Sequence, residues 1–143
     1  MGEAREVMDR ITAALDAQDV EAAAECYAAD AVAETPDQGE IRGREAIAEY
    51  FRQLAEPFPD GRYERHHGHE SGNVAIDEGY FVGTHTAPLP LPSGESVQAT
   101  GKQIRVRSCD IVSVEDGLVT SHRFYFDQME FFGQLGLLPE MPS

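Results

Sequence analysis

The 143-residue chain is 41% hydrophobic and 26% charged, which suits one ordinary globular domain over residues 1–143 and leaves no length for a second. Its 26 acidic against 11 basic side chains give a formal charge of −15, which repels phosphate backbones and anionic lipid, so no nucleic acid and no membrane are expected as partners. No run of about eighteen apolar residues occurs, and the opening MGEAREVMDR lacks the basic-then-apolar pattern of a secretory signal, so a cytoplasmic location is expected.

Ala4, Val7, Met8, Ile11 and Leu15 recur at three- and four-residue steps, which predicts a first amphipathic helix over Ala4 to Leu15. Asp19 can cap a short second helix through Tyr27, because its carboxylate can accept from the free amides of the first turn. An extended piece over Ala31 to Glu34 follows. A third helix, with Ile47, Tyr50, Phe51 and Leu54 on one face, is stopped by Pro57 and Pro59.

Beyond Pro59 the pattern becomes β-branched and aromatic, with strands expected over Arg62 to Glu70, Val74 to Thr86, Ser96 to Glu115 and Leu118 to Phe126. The segment APLPLPSGES reads as a loop between strands. Asp116-Gly117 is a two-residue hairpin turn, since both residue types tolerate the positive φ that a right-twisted hairpin requires. With Glu115 facing Leu118, a regular ladder places Asp110 opposite Arg123, Ser108 opposite Tyr125 and Val106 opposite Asp127, on one face. Three helices before a long curved antiparallel sheet define an α+β fold in which the helices close one side and the sheet wraps a hollow.

Asp127 precedes a short amphipathic C-terminal helix, and DQME reads as a capping box in which Asp127 and Glu130 serve each other's amides. The same carboxylate can also line the cavity as an acid/base, since a strand end feeding a helix start is where such a barrel opens. Asp110 and Arg123 form either a structural ion pair across two strands or a charged floor to the cavity. His85, near a strand end, either points inward as a partner for Asp127 or bonds within the wall. His122 falls on the face opposite Asp127, with Phe124 and Phe126, and reads as wall or subunit contact. Tyr27 and Phe51 stand at core spacing and can also shape a planar ligand.

His66, His67 and His69 invite a metal reading, but no carboxylate or cysteine at a fitting spacing completes a ligand set, and exposed edge-strand histidines are the plainer account. Cys26 and Cys109 lie far apart without CxxC or Cys/His spacing, so two reduced thiols are expected.

The strings GTHTAPL at Gly83 to Leu89, DIVSVEDGLV at Asp110 to Val119 and FDQMEFFGQLGLLP at Phe126 to Pro139 resemble the SnoaL-like polyketide cyclases of the nuclear-transport-factor-2-like (NTF2-like) superfamily. The resemblance implies a cone-shaped α+β barrel. It also implies Asp127 as general acid/base in an intramolecular aldol ring closure of a polyketide ester, with no metal or organic cofactor. A homodimer is implied as well, with Phe124 and Phe126 supplying an apolar contact face.

The leading expectation is therefore a cofactor-independent cyclase or isomerase acting on a small hydrophobic, enolisable substrate. Asp127 and Asp110 are its carboxylates, His85 or Tyr125 holds the enolate, and Arg123, Tyr27 and Phe51 contact substrate. A non-catalytic small-molecule-binding module and an epoxide hydrolase are the alternatives.

Overall fold

A computed structural model describes residues 2–91 and 93–138. Pro92, within the expected loop, and Pro139, which ends the C-terminal string, lie outside the described residues. Helix α1 (Glu3–Asp16) buries Ala4, Val7, Met8 and Ile11, the stripe that the periodicity predicts. Asp19 caps α2 (Val20–Ala24) by accepting from the Ala22 amide at 3.0 Å. The second helix is shorter than expected. Tyr27 opens strand β1 (Tyr27–Thr35), where its ring is fully buried and its backbone lies opposite Val119; tertiary pairing outweighs local helix preference there.

Strand β2 (Gly39–Arg42) pairs back onto β1, and α3 (Arg44–Ala55) ends before Pro57. Then come β3 (Arg62–Ser71), β4 (Val74–Thr84), a small hairpin of β5 (Leu89–Pro90) and β6 (Ser96–Val97), β7 (Gln103–Glu115), β8 (Leu118–Phe126) and α4 (Gln128–Gln134). The strand expected from Ser96 to Glu115 is broken, because the chain turns at Gly101 (φ 70°) and Gly101 N–H donates to the His85 carbonyl.

The large sheet runs β2-β1-β8-β7-β4-β3. It is mixed rather than wholly antiparallel, since β1 runs parallel to β8. Three irregularities interrupt its ladders, one of them between Tyr27 and Val32 where β1 meets β8. Between Arg65 and His67 the β3–β4 register shifts beside Gly79, where any side chain would begin 1.9 Å from the Glu64 carbonyl oxygen. Another shift lies between Ser113 and Val114 of β7, opposite the extra residue Thr120 of β8.

That last bulge corrects the expected register. Glu115 does face Leu118 across the Asp116-Gly117 turn, but beyond the extra residue Asp110 lies opposite Phe124, Cys109 opposite Tyr125 and Ile111 opposite Arg123. A one-residue slip exchanges the two faces of a strand. Asp110, His122 and Phe124 therefore point inward, while Tyr125 is 52% exposed.

The helices close the inner side of the sheet, burying Val7, Ile11, Ile47 and Phe51 against Val112, Val119 and Phe124. A smaller core of Phe58, Leu89, Ile104, Val106 and Leu135 lies toward α4. Helix α1 is also latched by polar contacts. Glu70 accepts from the amides of Gly2 and Arg5 at 2.9 and 3.1 Å, and Arg5 reaches Asp77 on β4. Among the described residues no helix is long and apolar enough to cross a membrane.

Candidate active site

Between the two cores lies a cavity of about 170 Å³, walled chiefly by Met8, Ile11, Phe51, Phe58, Phe81 and Phe124. Strand alternation places every second residue of β7 toward it: Val106, Ser108 and Asp110 line the hollow, and Val112 continues the same face into the main core. His122 and Phe124 line it from β8, Asp77 and Phe81 from β4, and Tyr63 from β3.

Asp110 is organised by a buried relay. The Tyr27 hydroxyl lies 2.6 Å from His122 Nδ1, and His122 Nε2 lies 2.9 Å from Asp110 Oδ1. Burial, reinforced by the negative charge of Asp110, raises the Tyr27 phenol well above its ordinary range, so its proton stays on oxygen. In the tautomer with its proton on Nε2, the imidazole accepts from the Tyr27 hydroxyl at Nδ1 and donates to Asp110. Stacking on Phe124, with centroids 3.7 Å apart and planes 7° from parallel, sets the ring's orientation. One oxygen of Asp110 is thus held by the relay, and the carboxylate, 21% exposed, faces the cavity.

Asp77 stands directly opposite Asp110 across the β4–β7 ladder. Like charges at such a position repel. Here Asp77, 3% exposed, accepts a hydrogen bond from Arg5 Nη2 at 2.9 Å and lies 2.8 Å from Nη1, an ion pair that compensates its charge. The Tyr63 hydroxyl donates to the Ser108 carbonyl at 3.2 Å, and burial raises that phenol as well.

The residues singled out from the sequence are partly gathered here. Asp110 and Phe51 line the cavity, and Tyr27 stands behind His122. Asp127 does not join them. It is exposed, and its carboxylate accepts from the Glu130 amide at 3.0 Å as the α4 cap, beside a shallow outer groove with His66, His67 and Tyr80. Only half of the reciprocal box forms, since Glu130 accepts from the Arg107 amide at 2.9 Å instead.

His85 is fully buried away from the cavity lining, with Nδ1 accepting from the Thr100 amide at 3.2 Å. Its ring is neutral because burial, partly offset by a hydrogen bond at the Ala87 backbone, lowers its proton affinity below the ordinary 6.5. Arg123 is on the outer face and forms no pair with Asp110, whose partner is His122. Tyr125 sits at the rim, touching both the cavity and the outer groove. The contact face expected around Phe124 and Phe126 is likewise corrected, since Phe124 is 7% exposed and both rings line the cavity.

Arg5 and Asp77 were not singled out from the sequence, and the face that His122 shares with Phe124 and Phe126, expected as wall or subunit contact, is the one that lines the cavity. A hint for Asp77 was available: it alternates with Ala75 and Gly79, small residues that suit a crowded inner face. Cys26 and Cys109 are free thiols. His69 approaches only Glu78, at 3.9 Å, and among the described residues no three His, Cys, Asp or Glu side chains are grouped to hold a metal.

The chain matches the model of the SnoaL-like domain over residues 8–122. Among solved structures it is similar to AclR from Streptomyces galilaeus, a suggested hydroxylase, at 19% identity and TM-score 0.82, covering 99% of this chain and 89% of that one. It is similar to IdmH from Streptomyces antibioticus, a suggested polyketide cyclase, at 20% identity and TM-score 0.79, covering 94% and 99%. A suggested SnoaL-like polyketide cyclase from Jannaschia sp. CCS1 aligns at 15% identity and TM-score 0.82, covering 96% and 94%. At such identities these likenesses establish the fold. A sequence search of curated proteins finds no match.

Proposed function

We propose, from the premise that the chain belongs to the SnoaL-like domain family, that it is a cofactor-independent enzyme of the cyclase or isomerase type. Its Asp110 carboxylate removes and returns a proton of a small hydrophobic, polyketide-like, enolisable substrate, as an intramolecular aldol ring closure requires. The observation that carries this reading is the Tyr27–His122–Asp110 relay, which delivers a carboxylate to a cavity lined mostly by aliphatic and aromatic groups.

In such a site the base is desolvated on its working side and fixed on the other, which favours proton transfer over solvation. The enolate oxygen that develops needs a donor, and the Ser108 hydroxyl, two residues along β7 on the same face, is suitably placed to supply one. Phe51 and Phe124, with centroids 5.8 Å apart, offer ring faces for a planar substrate. The neighbours described as polyketide cyclases support the substrate class. The same kinship supports a homodimer.

Deuterium exchange at the α-carbon of small aryl ketones, followed by NMR in D₂O, tests the reading without the natural substrate. Asp110→Asn is expected to lose about a hundredfold or more of the exchange catalysed by the wild type. Tyr27→Phe, which removes the donor to Nδ1, is expected to lose about tenfold. Ketone binding with no exchange above the buffer rate in the wild type would leave the fold as a binding module and end the enzymatic proposal.

A further inference from the structure

We propose that the ligand this cavity selects carries a positive charge: a quaternary or protonated amine on an otherwise hydrophobic, enolisable skeleton. The inference rests on Asp110 being the working carboxylate of the cavity and adds the charge class of what meets it.

Asp110 has few charged neighbours. Among the described residues that line the hollow there is no lysine or arginine. The ionisable groups facing Asp110 are Asp77 from β4, His122 from β8 and Tyr63 from β3, with Tyr27 behind His122. Asp77 is compensated by Arg5, whose guanidinium also serves Asp9 at 2.9 Å and is paired with those two carboxylates rather than with Asp110. Arg65 approaches Asp77 only at 3.9 Å and pairs with Asp9 at 2.8 Å. His122 accepts from the Tyr27 hydroxyl at Nδ1 and donates to Asp110 through Nε2 in the tautomer that the relay uses. No lysine or arginine therefore reaches the Asp110 carboxylate, whose side-chain partner is the His122 imidazole.

Around that charge stand ring faces. Phe124 lies opposite Asp110 on the ladder, Phe51 tilts against Phe124 with centroids 5.8 Å apart, and His122 stacks on Phe124 at 3.7 Å. Aromatic faces carry negative quadrupole charge and attract cations, the more so when water is excluded. An anionic ligand would meet a carboxylate and no lysine or arginine. A neutral one would cover Asp110 without pairing it, which leaves a desolvated charge. A cation answers both the carboxylate and the rings. Placed next to a ketone, it also makes the neighbouring C–H more acidic, in keeping with proton removal by Asp110.

The test uses a matched set of probes: phenacyltrimethylammonium, its carbon isostere phenyl neopentyl ketone, and benzoylpropionate as the anion. Dissociation constants are read by NMR titration at about 0.3 M NaCl, which screens the general attraction of an acidic surface. The cation is expected to bind at least about tenfold more tightly than its isostere, and benzoylpropionate more weakly than either. In Asp110→Asn the cation and isostere should come within about threefold of each other. Phe51→Leu, which keeps the charge, should weaken the cation about threefold more than the isostere.

Equal affinities of cation and isostere for the wild type, or a preference that survives in Asp110→Asn, would overturn the inference. Deuterium exchange recorded in the same samples separates the two failures. Asp110-dependent exchange with equal affinities overturns the charge selection alone. Charge selection without exchange upholds it and overturns the catalytic reading.

Discussion

Asp110 and Asp127 are chemically identical side chains given different work by their surroundings. Asp127 sits where a strand stops and free helix amides begin, so its carboxylate is consumed by the Glu130 N–H and by water. Asp127→Ala is expected to cost about 1 kcal/mol in urea denaturation, as loss of a cap does, with ketone exchange unchanged. The capping role was legible, because DQME states it in residue types alone; the exclusion from the cavity was not, because it depends on how β8 turns into α4.

His85 offers a residue-level test of a different kind. Its folded proton affinity is depressed by burial below 6.5. As pH falls through that value the unfolded chain takes up the proton first, so the stability present at higher pH is progressively lost on acidification. Between about pH 7.5 and 5.5 the melting temperature of the wild type should fall more steeply than that of His85→Gln; parallel curves would contradict the assignment.

At the level of elements, α1 and the β7–β8 hairpin decide the site. Helix α1 brings Met8, Ile11 and Leu15 to the cavity wall, and its Arg5 is the cation that makes Asp77 tolerable inside. Arg5→Met should destabilise the fold by about 3 kcal/mol, because it leaves a buried carboxylate uncompensated. Adding Asp77→Asn should recover part of the loss by removing that charge. Chemical denaturation of the single and double variants measures both. The hairpin's turn and outer register were readable from Asp116-Gly117. The bulge at Ser113/Val114 has no residue signature in the sequence, yet it carries Asp110 to His122 and turns Arg123 away. One unpaired residue thus redirected the whole inner face.

For the whole molecule, the α+β order and a sheet curved around a hollow follow from the switch in periodicity after Pro59. The parallel pairing of β1 with β8 does not, since it joins segments from opposite ends of the chain. With Phe124 and Phe126 inside, the proposed homodimer must form through another surface. Light scattering should return twice the 15.7 kDa chain mass, and a monomer would remove that part of the proposal.

The most direct measurement compares two variants side by side: α-proton exchange of an aryl ketone by Asp110→Asn and by Asp127→Asn. Asp110→Asn is expected to fall about a hundredfold or more below the wild type while Asp127→Asn stays within about twofold of it. The reverse pattern, with Asp110→Asn active and Asp127→Asn silent, would contradict the account.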